Sequence, residues 1–240
     1  MEAELEIAPR FCGPPGTANG GYLAGRLAAG MAGPVEVSLR APTPLATKLE
    51  VVLHDDGSRS LQREGVELAR ARSAALALEL RAPPDPSATA ASSGSCRAMR
   101  THPFPECFVC GPARASGDGL RIFPGLVANS DAVAALWTPD ASLCDASGCV
   151  APEFLWAALD SPSAFPLLEP ESARALEPMV LGRICVALDG ELRADETALL
   201  LAWPLAREGR RGIAAAALFR ADGSVIARAR ATWASLAGRA

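Results

Sequence analysis

Cys149-Val150-Ala151-Pro152-Glu153-Phe154-Leu155-Trp156-Ala157-Ala158-Leu159-Asp160-Ser161-Pro162-Ser163-Ala164-Phe165 is the stretch on which the reading of this chain turns. Phe154, Leu155, Ala158, Leu159 and Phe165 fall near helical spacing and make one wide apolar stripe. Pro152 suits the first turn of such a helix, where a missing N–H leaves nothing unpaired. Asp160 then stands late in an otherwise apolar helix, where a carboxylate neither caps the start nor complements the negative end of the dipole. A water-facing aspartate would account for it, and so would a carboxylate aimed into a cleft.

The rest of the chain narrows the setting. At 240 residues it is long enough to bury a sizeable core as one large domain or two of ordinary size. Half of its residues are hydrophobic, which excludes a disordered chain. A net charge of -4 and a pI near 5.3 give no basic footprint for nucleic acid or an anionic membrane. No apolar run reaches bilayer length, and Met1-Glu2-Ala3-Glu4-Leu5-Glu6 is acidic where a secretory signal is basic, so the expectation is a cytoplasmic protein. Seven cysteines without a regular framework read as free thiols.

Upstream of the opening stretch, residues 3–12 read as a short first strand, broken at Gly13-Pro14-Pro15-Gly16. Tyr22, Leu23, Leu27 and Met31 then make a helical stripe that Asn19 or Thr17 can cap. Gly20 and Gly21 are poor helix formers, and their expected use is close approach of something to backbone N–H groups. Strands are predicted over 35–39, 48–53 and 66–80, with Asp55-Asp56-Gly57-Ser58 as a turn. The Pro-, Ala- and Ser-rich segment 82–103 reads as a linker, running on to Cys107-x-x-Cys110 and residue 115. Beyond it strands are expected over 120–123, 132–137, 180–188, 197–205, 212–219 and 224–236, with a Glu- and Pro-containing excursion after the Asp160 helix. Leu68-Ala69-Arg70-Ala71-Arg72 near the end of one half matches Ile226-Ala227-Arg228-Ala229-Arg230 near the end of the other. The reading is therefore α+β: two copies of one unit, 1–81 and 116–240, joined by the linker 82–115.

One helix wrapped by antiparallel strands, present twice, resembles the double hotdog fold. Thr17-Ala18-Asn19-Gly20-Gly21 resembles the turn that opens the central helix in acyl-thioesterases of that superfamily, and Ala157-Ala158-Leu159-Asp160-Ser161-Pro162 resembles the later segment carrying their acid. Cys107-Phe108-Val109-Cys110-Gly111-Pro112 with Gly117-Asp118-Gly119-Leu120-Arg121 resembles the entry to the domain in related proteins. The resemblance implies a site between two units, in which the Gly-Gly helix start of one polarises a thioester carbonyl and the acid of the other attacks it or activates water. The acid's place in the first half falls near Ala28, and the turn's place in the second falls at Ala151-Pro152-Glu153, so each half lacks what the other keeps. The resemblance thus implies one composite site, formed by Asn19, Gly20 and Gly21 with Asp160. Trp156, Phe154 and Tyr22 are the candidate acyl-binding residues. The implied substrate is a thioester of coenzyme A or a carrier protein, and the oligomeric state is left open, a homodimer among the options.

The competing readings are weaker. Hotdog dehydratases and hydratases need a histidine near the helix, and only His54 and His102 exist, one beside a turn and one in the linker. No Gly-x-Ser-x-Gly elbow marks a serine hydrolase. A non-catalytic acyl-CoA or lipid-binding module is the alternative from another class. Cys107, Cys110, Cys96 and His102 could offer zinc ligands, but a second cysteine pair is missing, so no metal or other cofactor is assigned.

Overall fold

In a computed structural model, which describes residues 4–168 and 177–236, eleven strands among the described residues join one antiparallel sheet. The first five are β1 (Glu4–Leu5), β2 (Val35–Leu39), β3 (Leu49–Leu53), β4 (Arg59–Arg63) and β5 (Val66–Ser73). The others are β6 (Gly125–Leu126), β7 (Val133–Trp137), β8 (Met179–Leu188), β9 (Ala198–Glu208), β10 (Arg211–Phe219) and β11 (Val225–Ser235). Their spatial order is β1-β3-β4-β5-β2-β8-β11-β10-β9-β7-β6. The N-terminal strands thus occupy one side and the C-terminal strands the other, meeting where Val37 faces Ile184 and Val35 faces Val186.

Three α-helices lie among the described residues: α1 (Gly20–Ala28), α2 (Pro86–Gly94) and α3 (Pro152–Asp160). α1 packs on β2, β4, β5 and β8, and α3 on β8, β10 and β11. The sheet beneath them presents fully buried Ala69 and Ala71 from β5 and Ala227, Ala229 and Ala231 from β11, small side chains that let helix and sheet close together. The helices also touch each other through backbone. A Cβ at Gly21 would stand 3.0 Å from Ala157 Cα, and one at Gly25 would stand 2.6 Å from Glu153 Cα, so α1 runs antiparallel to α3 with no side chain between them. Arg59 of β4 is buried and donates to the carbonyls of Leu27 and Ala29, capping the end of α1.

Several local expectations change. The strand expected over 3–12 is only Glu4–Leu5. β4 was missed because Arg-Ser-Leu-Gln-Arg shows no apolar alternation. The strand expected over 66–80 ends at Ser73, and Leu78 and Leu80 instead pack with Trp203 and Phe219 on the face of the sheet opposite α1 and α3. Residues 120–123 are not a strand, since Leu120 and Ile122 give their N–H groups to Phe108 and Val109. The segment read as a linker contains α2, which packs on β6 and β7. Asp85 caps it by accepting the Ser87 and Ala88 N–H groups, and Pro86 follows in its first turn. α2 has no apolar stripe to reveal it: its buried Thr89 and Ser92 satisfy their hydroxyls on carbonyls one turn back. Most of the excursion expected after α3 lies outside the described residues. Among the described residues no helix is long and apolar enough to cross a membrane.

The α1–α3 contact yields a direct test. Gly25→Ala should lower the urea midpoint, because overpacking of about 1–3 kcal/mol outweighs the roughly 1 kcal/mol gained in helix propensity. An unchanged or raised midpoint would mean that the two helices are not in backbone contact.

Candidate active site

Asn19 caps α1 by accepting the Tyr22 N–H on Oδ1 at 2.9 Å, and that bond turns its amide nitrogen toward the end of α3. Asn19 Nδ2 donates to Asp160 Oδ2 at 3.0 Å and, more loosely, to Ser161 Oγ at 3.5 Å. Gly21 donates its backbone N–H to the same Asp160 Oδ2 at 2.8 Å. Only glycine permits this approach, since a Cβ on residue 21 would lie 2.3 Å from Asp160 Cβ. Asp160 is 2% exposed, and its Oδ1 has no partner among the described residues. Burial pushes its carboxyl up to about 7; the Gly21 N–H opposes this, the Cys107 sulfur adds to it, and Asn19 opposes it.

Asp160 lines a cavity of about 560 Å³ between the two sides of the molecule. Leu23, Leu39, Phe104, Phe165, Leu181 and Trp233 give it apolar walls, while Asn19, Gly20, Asp160, Ser161, Cys107 and Cys110 supply polar groups. Trp233 is itself fixed by donating to Ser163 Oγ at 2.9 Å, and Ser163 donates to the Asp160 carbonyl at 2.7 Å.

The cysteine turn is brought to this cavity by backbone bonds. Cys107 N–H meets the Phe104 carbonyl, Gly111 N–H returns to the Cys107 carbonyl at 2.8 Å, and Phe108 N–H reaches the carbonyl of distant Cys12 at 2.8 Å. A side chain on Gly111 would press within 2.4 Å of the Cys107 and Pro105 carbonyl oxygens, so the turn requires glycine there. His102 Nδ1 accepts the Phe104 N–H at 2.9 Å, which leaves the ring proton on Nε2, 3.1 Å from Cys110 Sγ. Burial pushes His102 down to about 4, so its ring is neutral. Cys110 Sγ in turn donates to Cys107 Sγ at 3.6 Å, and Ser161 Oγ stands 3.7 Å from the same sulfur. The Cys110 thiol brings Cys107 down to about 6 against the effect of burial, helped by the backbone N–H groups of Cys110 and Val109. Cys110 is pushed up, first by sharing its proton with Cys107 and then by burial.

The structure therefore brings Asn19, Gly21 and Asp160 into one hydrogen-bonded group and sets Gly20 on the cavity wall. It does not put Tyr22, Phe154 or Trp156 there. Tyr22 stacks on Phe11 at 4.0 Å and joins Phe108 and Phe154 in a separate aromatic cluster, and Trp156 is buried against α1 near Gly25. Periodicity marked these aromatics as buried without indicating what they face. His102, Cys107, Cys110, Ser161 and Trp233 are the cavity residues that the sequence reading left out of the site; the adjacency of Ser161 to Asp160 was the available signal. Cys96 does not join them, packing instead with Ala98 near Phe123, Phe165 and Leu168.

Asp160 makes stability depend on pH in a definite direction. Its folded value of about 7 lies above its ordinary 3.8, so the folded protein holds the extra proton between those values. The resulting stabilisation, at most roughly 4 kcal/mol, is complete below about pH 4 and is lost as pH rises through about 7. Asp160→Asn removes the titration, so in thermal melts from about pH 5 to about pH 8 the wild type should lose ground steadily to the variant. A difference in melting temperature that stays constant with pH would refute the assignment.

No family model matches the sequence, and no curated protein matches it. Solved structures do. A protein of unknown function with a hot dog fold from Alicyclobacillus acidocaldarius superposes with TM-score 0.61 at 13% identity, over 98% of this chain and 92% of its own. The tesB protein of Mycobacterium avium subs paratuberculosis gives TM-score 0.58 at 12% identity, over 97% and 91%. A candidate thioesterase II from Thermobifida fusca gives 0.59 at 16%, over 98% and 93%. At such identities the likeness speaks for architecture, and over nearly its whole length this chain has the hotdog fold.

Proposed function

We propose that this protein hydrolyses acyl thioesters, of coenzyme A or a carrier protein, at one composite site between two duplicated hotdog units. The observation that carries the reading is Asp160, a residue of the cavity lining: one carboxylate oxygen is held across the interface by Gly21 and Asn19, and the other is buried and unpartnered. Duplication is supported by the strand order. Outward from the β2–β8 junction the sides run β2-β5-β4-β3-β1 and β8-β11-β10-β9-β7, and the matching Ala-Arg segments occupy β5 and β11. Two of the proteins similar in structure carry thioesterase-type names, a tesB protein and a candidate thioesterase II.

In this mechanism the roles of the two glycines separate. Gly21 N–H already serves Asp160, so it positions the acid. Gly20 begins α1, where a backbone N–H has no partner within the helix, and it lines the cavity. Gly20 N–H, at the positive end of α1, stabilises the oxyanion that develops on the carbonyl. Asp160, poised near neutrality, takes the proton of the attacking water through its free oxygen. At the opposite end of the helix pair Ala28 on α1 stands in the place of the acid and Pro152 on α3 in the place of the glycine pair.

Asp160→Asn keeps the shape of the site while removing its base. Thiol release from the best substrate of an acyl-CoA panel should fall about a hundredfold or more, with binding little changed. Near-normal turnover in the variant would sink the composite site. Saturable binding by the wild type with no thiol release from any panel member would make the protein an acyl-CoA or lipid-binding module instead.

A further inference from the structure

The mechanism above leaves unused the most polarised nucleophile on the cavity wall. We propose that Cys107 accepts the acyl group from a bound thioester, forming an acyl-enzyme that Asp160 then directs to hydrolysis. The second step rests on the hydrolase reading; the first does not.

A cysteine buried in apolar surroundings is inert. Cys107 is 4% exposed but lies in a line of donors: His102 Nε2–H toward Cys110, Cys110 S–H toward Cys107, and the Ser161 hydroxyl beside it. Those contacts favour the thiolate, the form that attacks carbonyls, and burial alone would do the reverse. Cys107 lines the same cavity as Gly20 and Asp160. Ser161 links it to Asn19, whose amide also holds Asp160, and the unpartnered Asp160 oxygen is a second, independent sign that the cavity takes a polar ligand.

The chemistry balances without an oxidant. The Cys107 thiolate adds to the carbonyl carbon, the bond from that carbon to the substrate sulfur breaks, and the departing thiolate takes the proton that Cys110 had shared. Asp160 passes its own proton to the Cys110 thiolate, water then adds to the new thioester, and Asp160 accepts the proton of that water. Breaking of the acyl–sulfur bond regenerates the Cys107 thiolate and leaves Cys110 and Asp160 protonated, as they began.

Octanoyl-coenzyme A serves as the probe, and Asp160→Asn as the trap, since it slows the second step and spares the first. The trap should release a burst of coenzyme A stoichiometric with protein and carry an octanoyl group on the Cys107 peptide, labile to hydroxylamine; Cys107→Ser in the same background should abolish both. In otherwise wild-type protein Cys107→Ser should cut turnover at least about tenfold. Acid-quenched wild type supplies the adduct measurement independently of any variant's folding. Turnover by wild type with no Cys107 adduct, and with Cys107→Ser within about twofold, would overturn the proposal and leave the hydrolase reading standing. An adduct on Cys107 without turnover would uphold acyl acceptance and defeat the hydrolase reading, whereas neither adduct nor turnover would defeat both. Stoichiometric zinc in protein purified without a polyhistidine tag, lost in Cys107→Ser, would also overturn the proposal, because a metal-held thiolate is not a free nucleophile.

Discussion

The backbone contact between α1 and α3 at Gly21 and Gly25 is the constraint from which the rest of this structure follows. Two helices with ordinary side chains between them would hold their axes roughly 8–10 Å apart, too far for a backbone N–H of one to bond a short carboxylate of the other. With glycine at 21 and 25 the start of α1 lies directly against the end of α3. Asp160 stands where the dipole of its own helix disfavours negative charge, and the positive start of α1 offsets that field. The alanine rows of β5 and β11 and the Arg59 cap serve the same arrangement, letting the pair sink onto the sheet and closing the free end of α1.

How much of this could be read in the sequence depended on whether the deciding interaction was local. Asp160 was legible because a carboxylate late in an apolar helix violates a local rule, and Gly20 and Gly21 because a capped helix rarely begins with two glycines. The Ala-Arg strands, whose alternation is a period-2 signal, carried the reading of a duplication, which stands as part of the proposed function. The cysteine turn gave a motif but no address: its place beside Asp160 depends on the Phe108–Cys12 backbone bond, and no periodicity reports a pairing between segments so distant. His102 was read into a linker for the same reason. The aromatics Tyr22, Phe154 and Trp156 erred in the other direction. Their spacing established burial, and burial against Phe11 and α1 looks the same in sequence as burial against an acyl chain.

The two helices contribute unequally, and that inequality is what makes a single-chain site workable. Four groups converge at the Gly21 end: a cap amide, a first-turn N–H, a carboxylate and the cysteine turn. At the other end Ala28 and Pro152 are apolar, and the buried charge there, Arg59, is held by the carbonyls of Leu27 and Ala29. In the proposed composite site each half of the chain supplies only one part, so the other end of the helix pair is free to relax into core packing.

A thiolate and a carboxylate on one buried wall cannot both ionise without mutual penalty. Cys107 and Asp160 show that conflict, for the sulfur is among the causes that raise the Asp160 carboxyl. In the proposed sequence of steps the conflict orders the reaction. While Cys107 is the anion, Asp160 tends to keep its proton and so does not repel the incoming carbonyl or compete as a nucleophile. Once the sulfur carries an acyl group its charge is gone, and the Cys110 thiolate left by the departing thiol takes the Asp160 proton. The carboxyl then ionises more readily at the step where water needs a base, and the buried Gly21 N–H and Asn19 amide are already in place to hold the charge that appears.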